Sequence, residues 1–370
     1  MPFMTAESPR PTHLARIRQD VQGMHAYAVQ ESAGLLKLDA MENPHRLSPA
    51  LQVELGRRLG QVAINRYPGA RVDALRAALH AHARPPAGWS LMLGNGSDEL
   101  ISLLAMACDV PGASVLAPVP GFVMYAMGAQ LQGLAFHGVP LADGFALDEA
   151  AMLTAIARHR PAIVYLAYPN NPTGTLWDAG AIARVVAAQG AQGGLVVIDE
   201  AYQPFAAHSW IEPVRAAPAR HAHVLVMRTL SKFGLAGVRI GYMLGDKALI
   251  REIDKVRPPY NVSVLNAECA LFALEHADVF AAQAEDIRAQ RALLLDALAR
   301  LPGVHPFPSQ ANMILARVPD AARAFEGMKA RGVLVKNVSK MHPSLADCLR
   351  LTVGTAEENA QMLAALQAAL

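Results

Sequence analysis

Four short segments hold side chains whose types and spacing could do chemistry, and their order along the chain matters as much as their content. The first, residues 94–99 (Gly-Asn-Gly-Ser-Asp-Glu), runs into a helical apolar pattern, Leu100, Ile101, Leu103 and Leu104. Glycines allow close backbone approach and a helix N-terminus offers free N–H groups, so Ser97 and Asp98 begin a seat for an anion, most naturally a phosphate. The second, residues 168–174 (Tyr-Pro-Asn-Asn-Pro-Thr-Gly), holds Asn171 between residues of fixed geometry, an amide donor suited to a phenolic oxygen. In the third, residues 199–202, the Asp199 carboxylate can pair with a protonated ring nitrogen, and Tyr202, about one helical turn on, can reach the same ring's oxygen. In the fourth, residues 229–239, Lys232 offers an amine between the hydroxyls of Thr229 and Ser231. Arg239 ends that run with a forked cation suited to phosphate.

Each segment also has an ordinary reading: a helix capped by Ser97, a turn, a capping carboxylate, a solvated lysine. The argument for a site lies in their combination, because each follows a strand pattern. Short β-branched or apolar runs at 91–93, 114–118, 133–139, 162–167, 195–198, 223–227 and 241–244 predict strands. Several are continuously apolar, as in Ile163-Val164-Tyr165-Leu166, the mark of strands buried on both faces. Helical spacing lies between them: Asp148 caps one helix, which Pro161 stops, and Asp178 caps another, with Gly190 as its C-terminal stop. The alternation predicts an α/β fold with a mostly parallel central sheet and helices on both faces, where ligands bind beyond the strands' carboxyl ends. After residue 261 the pattern changes to a long helix at 279–301 and shorter mixed units, the signature of a smaller α+β domain. The expected division is a large domain at 65–275 and a small one built from 1–64 with 276–370.

Composition narrows the partners. Hydrophobic residues make up 53% and charged residues 17%, enough for a sizeable core, yet no run is long enough to span a membrane. Residues 1–20 show no apolar signal segment, and three cysteines in no paired spacing suit a reducing cytoplasm. A net charge of +2 without a basic block argues against nucleic acid, and the thirteen scattered histidines predict no metal site.

With the motifs in hand (Gly-Ser-Asp-Glu, Asn-Asn-Pro-Thr-Gly, Asp-Glu-Ala-Tyr and Ser-Lys-Phe-Gly-Leu-Ala-Gly-Val-Arg-Ile-Gly, in that order), the chain from about residue 38 onward resembles the class I/II aminotransferases of fold type I, which use pyridoxal 5′-phosphate. Segments 38–44, 65–68, 258–262 and 348–355 make it most similar to the histidinol-phosphate aminotransferase family within that group. The resemblance implies that Lys232 carries the cofactor as an imine and shuttles the proton, that Asp199 pairs with the pyridine nitrogen, and that Asn171 and Tyr202 meet the ring oxygen. Phe122 would stack on the ring, while Ser97, Asp98, Thr229, Ser231 and Arg239 would hold the phosphate. Tyr67 would reach that phosphate from the neighbouring subunit of a homodimer. Arg350 would bind the anionic end of the substrate, with Lys336 beside it, and Tyr27 and Asn43 would help enclose it.

The implied reaction exchanges L-histidinol phosphate and 2-oxoglutarate for imidazole-acetol phosphate and glutamate in histidine biosynthesis. Aromatic amino-acid transamination and threonine-phosphate decarboxylation are alternatives on the same fold. A non-enzymatic regulator that binds the same cofactor is disfavoured, because no basic recognition helix precedes the matched region. Three departures from the family pattern stand out: a spacing from Lys232 to Arg239 one residue shorter than in many members, Lys336-Asn337 where a second arginine followed by aspartate is common, and Met41 where asparagine is common.

Overall fold

The computed structural model describes residues 12–24, 26 and 29–370. Residues 1–33 and 34–370 form separate units. The first contains a short turn, Thr12–Leu14, and a helix, Gln19–Gln22, with Arg18 paired to Asp20.

The second unit is built on a seven-stranded sheet. Its spatial order is Trp89–Gly94, Gly241–Asp246, Val224–Thr229, Leu195–Asp199, Ile163–Ala167, Ser114–Val119 and Ala135–Pro140. Only Gly241–Asp246 runs against its neighbours; the others are mutually parallel. All seven strands expected from the sequence are therefore present, and the mostly parallel arrangement follows from the helical crossovers between them.

The apolar runs are explained by two-sided burial. Val164, Leu166, Val196, Ile198, Val224 and Val226 point into one core, against helices Ala70–Ala83, Glu149–His159, Ala179–Ala191 and Val264–Glu275. The alternate residues, Ile163, Tyr165, Val197, Leu225 and Met227, point into a second core under helices Ser97–Ala107, Val123–Gln132 and Lys247–Ile253. Successive side chains on a strand face opposite ways, so one strand feeds both layers. This is an α/β sheet covered by helices on both faces, as the strand–helix alternation predicts.

The expected caps form: Asp148 accepts from the Ala151 N–H at 2.9 Å and Asp178 from that of Ala181 at 2.8 Å. Gly190, in contrast, does not stop its helix, which continues to Ala191. It lies where a Cβ would come within 2.5 Å of the His223 ring, so the glycine serves close approach between helix and strand.

A four-stranded antiparallel sheet, ordered Lys336–Asn337, Cys348–Thr352, Met313–Arg317 and His305–Pro306, supports a further core. Helices Ala277–Ala299, Ala321–Ala330 and Ala356–Gln367 cover it, and Leu38, Met41, Tyr202 and Phe205 join it from elsewhere in the chain. The short strand Leu36–Lys37 pairs in parallel with Val333–Leu334. It thereby launches residues 38–43 towards the carboxyl edge of the large sheet.

Candidate active site

The six parallel strands end on one side of the sheet, and the loops that follow five of them converge on a cavity of about 330 Å³. Lys232, Asp199, Tyr202, Asn171, Phe122 and the Ser97/Arg239 cluster all border it. Residues separated by more than a hundred positions in sequence thus share one hollow.

At one end lies a cradle of donors. The helix Ser97–Ala107 starts behind Gly96, whose φ is +85°, and no side chain caps its first turn. Ser97 is therefore the first helical residue and not the cap. A Cβ on residue 96 would come within 2.6 Å of Arg239 Nη2, so only glycine lets the guanidinium close over this helix start. Arg239 Nη1 donates to Ser231 Oγ at 3.3 Å, its Nη2 lies 3.6 Å from Asp98 Oδ2, and Thr229 Oγ1 donates to Ser231 Oγ at 3.0 Å. Between Lys232 and Arg239 the chain forms a π turn, Ser231–Leu235, and a 3-10 turn, Ala236–Val238. Arg239 then takes a left-handed backbone with φ +56°.

At the centre, Lys232 Nζ donates to the Ala40 carbonyl at 2.8 Å and lies 5.9 Å from the centroid of the Tyr202 ring. Burial, with help from the nearby Arg350 and Arg239 cations, pulls the Lys232 ammonium down to about 8. Asp199 occupies the end of its strand, 4% exposed. Its Oδ1 accepts from the Ala201 N–H at 3.0 Å and its Oδ2 from the Tyr125 hydroxyl at 2.6 Å. Burial pushes this carboxyl up to about 6, against the opposing pull of those two donors. Burial likewise raises the Tyr202 phenol above its ordinary range.

The next residue points elsewhere. Glu200 accepts from Ser209 Oγ at 2.9 Å and from the Trp210 N–H, and pairs with Arg228 at 2.8 Å. This buried pair anchors the strand end and does not border the cavity.

The substrate-side expectations divide. Arg350 donates from Nη1 to Asn171 Oδ1 and from Nη2 to the Asp39 carbonyl, both at 2.8 Å. Lys336 stands opposite Arg350 in strand register, and neither residue borders this cavity directly. Asn43 does not border this cavity; its amide donates to Gln283 Oε1 at 2.9 Å and to the Phe233 carbonyl at 3.3 Å. Tyr67 does not border it either: it is 79% exposed and stacks on Tyr260 with ring centroids 4.6 Å apart. Tyr27 lies outside the described residues.

Sequence reasoning missed Tyr125 and Glu42, both of which border the cavity. Tyr125 follows Phe122 by three, a helical spacing that places both rings on one side, and that spacing was the available signal. Glu42 is held by Lys37, with Oε2 2.6 Å from Nζ. Met41 has φ +52°, which explains why asparagine, tolerant of that conformation, suits this position. Two buried bonds hold it there, from its N–H to Thr352 Oγ1 at 3.1 Å and to its carbonyl from Asn312 at 3.0 Å.

The donor set fits a flat heterocycle with a phosphate arm, as pyridoxal 5′-phosphate has. The cradle of Ser97, Thr229, Ser231 and Arg239 suits the phosphate, the buried carboxylate of Asp199 suits a ring nitrogen, and Lys232 suits a carbonyl carbon. Among the described residues no group of three or more His, Cys, Asp or Glu side chains could hold a metal, and no helix is long and apolar enough to cross a membrane.

Comparison with known proteins gives the same direction. The family described as aminotransferase class I and II matches residues 33–366. The histidinol-phosphate aminotransferase of Polaromonas naphthalenivorans is 71% identical over 96% of this chain and 96% of its own, and that of Acidovorax sp. (strain JS42) is 68% identical over 99% and 100%. Among solved structures, histidinol-phosphate aminotransferase from Sinorhizobium meliloti in complex with pyridoxal 5′-phosphate is 25% identical. It covers 95% of this chain and 97% of its own, with a TM-score of 0.82.

Proposed function

The chain belongs to the class I and II aminotransferase family, and from that premise we propose that it binds pyridoxal 5′-phosphate and transfers the amino group of L-histidinol phosphate to 2-oxoglutarate, the transamination of histidine biosynthesis. The reaction type is supported by the convergence of Lys232, Asp199 and Arg239 on one cavity. The donor is carried by identity near 70% over almost the whole length of two histidinol-phosphate aminotransferases.

When bound, the cofactor supplies an electron sink that makes the proton on an amine's Cα acidic. Lys232 Nζ is the group placed to remove that proton: it borders the cavity, and its lowered pKa leaves a large neutral fraction near pH 8. Asp199 would pair its negative charge with the ring nitrogen, Asn171 and Tyr202 would meet the ring oxygen, and Phe122 would pack against the ring. Ser97, Asp98, Thr229, Ser231 and Arg239 would hold the phosphate. Arg350, with Lys336 opposite in register, is assigned to the anionic end of the substrate.

We further propose a homodimer in which the exposed Tyr67 reaches the partner's cavity, two lobes divided at residues 65–275, and a cytoplasmic location. Single-turnover reaction of the cofactor-loaded protein with histidinol phosphate and with phenylalanine tests the donor. Conversion of histidinol phosphate at least tenfold faster is expected, whereas preference for phenylalanine would reassign the protein to aromatic donors, and release of carbon dioxide from threonine phosphate would make it a decarboxylase.

A further inference from the structure

Tyr125 has no role in the reading above, yet it makes the shortest contact to Asp199. It is 2% exposed on the helix Val123–Gln132, and its hydroxyl donates to Asp199 Oδ2 at 2.6 Å. Its ring is clamped: it stacks on Tyr165 at 4.3 Å and 7°, and meets Phe122 edge-on at 5.6 Å and 86°. A phenol held this way cannot swing towards another acceptor without breaking both ring contacts.

We propose that Tyr125 is a positioning residue for Asp199, fixing the orientation of its carboxylate and keeping it ionised so that a ring nitrogen in the cavity meets negative charge. The inference rests on the proposed cofactor for its consequence, though not for its geometry. Each Asp199 oxygen has one donor, the Ala201 N–H on Oδ1 and Tyr125 on Oδ2. Removing the Tyr125 hydroxyl leaves a buried carboxylate oxygen unsatisfied, and protonation of Asp199 is the cheapest relief.

The other groups facing the pair do not replace it. Asp98, from the helix Ser97–Ala107, and Glu200 both push the Asp199 carboxyl further up, and Glu200 is itself neutralised by Arg228. Tyr202 borders the same cavity but donates no hydrogen bond to Asp199 among the described contacts, and Lys232 Nζ is directed to Ala40. Tyr165, on the neighbouring strand, has a buried hydroxyl with no hydrogen-bond partner and touches the pair only through its ring. Tyr125 is thus the one side chain that donates to this carboxylate among the described residues.

The test titrates Asp199 in the cofactor-free protein by difference infrared spectroscopy of its carboxyl band, assigned with Asp199→Asn. Tyr125→Phe should raise the midpoint from about 6 by roughly one to two pH units. It should also weaken pyridoxal phosphate binding about tenfold at pH 7. Incorporating 3-fluorotyrosine at 125, a better donor of the same size, should move the midpoint downward, which guards against poor folding of the phenylalanine variant. Tyr165→Phe is the structural control and should change neither reading. Unchanged midpoints in both Tyr125 variants, or an equal shift in Tyr165→Phe, would overturn the proposal. A shifted midpoint in protein that binds no pyridoxal phosphate would support the positioning role and overturn the cofactor reading instead.

Discussion

Lys232 Nζ and the Ala40 carbonyl lie 2.8 Å apart, joining the centre of the cavity to a chain segment 192 residues away in sequence. The half-buried amine is partly desolvated near two arginine cations, and its pKa falls to about 8. At pH 8 about half of it is neutral, against under about 1% for an ordinary lysine. Acylation of Lys232 in the cofactor-free protein, followed by mass spectrometry, should therefore rise with a midpoint near pH 8; a midpoint near 10 would refute the lowered value. Because the folded pKa lies below the unfolded one, the unfolded chain binds more protons between about pH 8 and 10.5, and stability rises with pH across that window. Lys232→Met should remove this rise.

Asp199 carries the opposite sign. Its folded pKa of about 6 lies above the ordinary 3.8, so the folded chain binds more protons in between, and stability falls as pH rises through that interval. Above pH 6 the penalty is complete, up to about 3 kcal/mol. Cofactor-free Asp199→Asn should melt at a higher temperature than wild type at pH 7.5 and at a similar one near pH 4. Its affinity for pyridoxal phosphate should fall about a hundredfold, measured by titration of the visible band.

Gly96→Ala should damage the phosphate cradle. The change combines strain at φ +85° with a Cβ 2.6 Å from Arg239 Nη2, which must then move off the helix start. Cofactor affinity should drop at least about tenfold, in addition to about 1 kcal/mol of lost stability. Gly112→Ala provides the comparison, since φ is +81° there with nothing within 4 Å, and it should lose stability alone.

Arg350 and Lys336 face each other across two antiparallel strands but should fail differently. Arg350→Lys loses the fork that bonds Asn171 and Asp39 together, so kcat/KM should fall about a hundredfold for every donor. Lys336→Ala should raise KM about tenfold for a phosphate-bearing donor and leave phenylalanine unaffected. Steady-state kinetics with both donors separates the two.

The inner strands, such as Ile163–Ala167 and Val224–Thr229, were legible because they are buried on both faces and so are written as apolar runs, whereas the edge strand Ala135–Pro140 is largely exposed; most of the cavity's residues were legible because they sit just after strands. Tyr125 was not, since a tyrosine within an apolar helical stretch reads as core until its hydroxyl is seen to meet a carboxylate. Ala40 could not be found at all, because its contribution is a backbone carbonyl, which every residue possesses. Gly190 was misread as a stop because a glycine near a helix end has the same sequence appearance whether it frees the backbone or makes room for a ring. The partners of Asn43, the Gln283 side chain and the Phe233 carbonyl, lie 190 or more residues away and leave no mark in the sequence around it.

The bonds that hold residues 39–41 in place have one more consequence. The Asp39 carbonyl is held by Arg350 and the Met41 N–H by Thr352, partners 311 residues further along the chain. During translation every strand of the large sheet is made before those partners. The wall that carries Ala40 cannot be held until they are made, so a nascent chain that already has its lysine and its phosphate cradle must wait for its last strand before the pocket is closed.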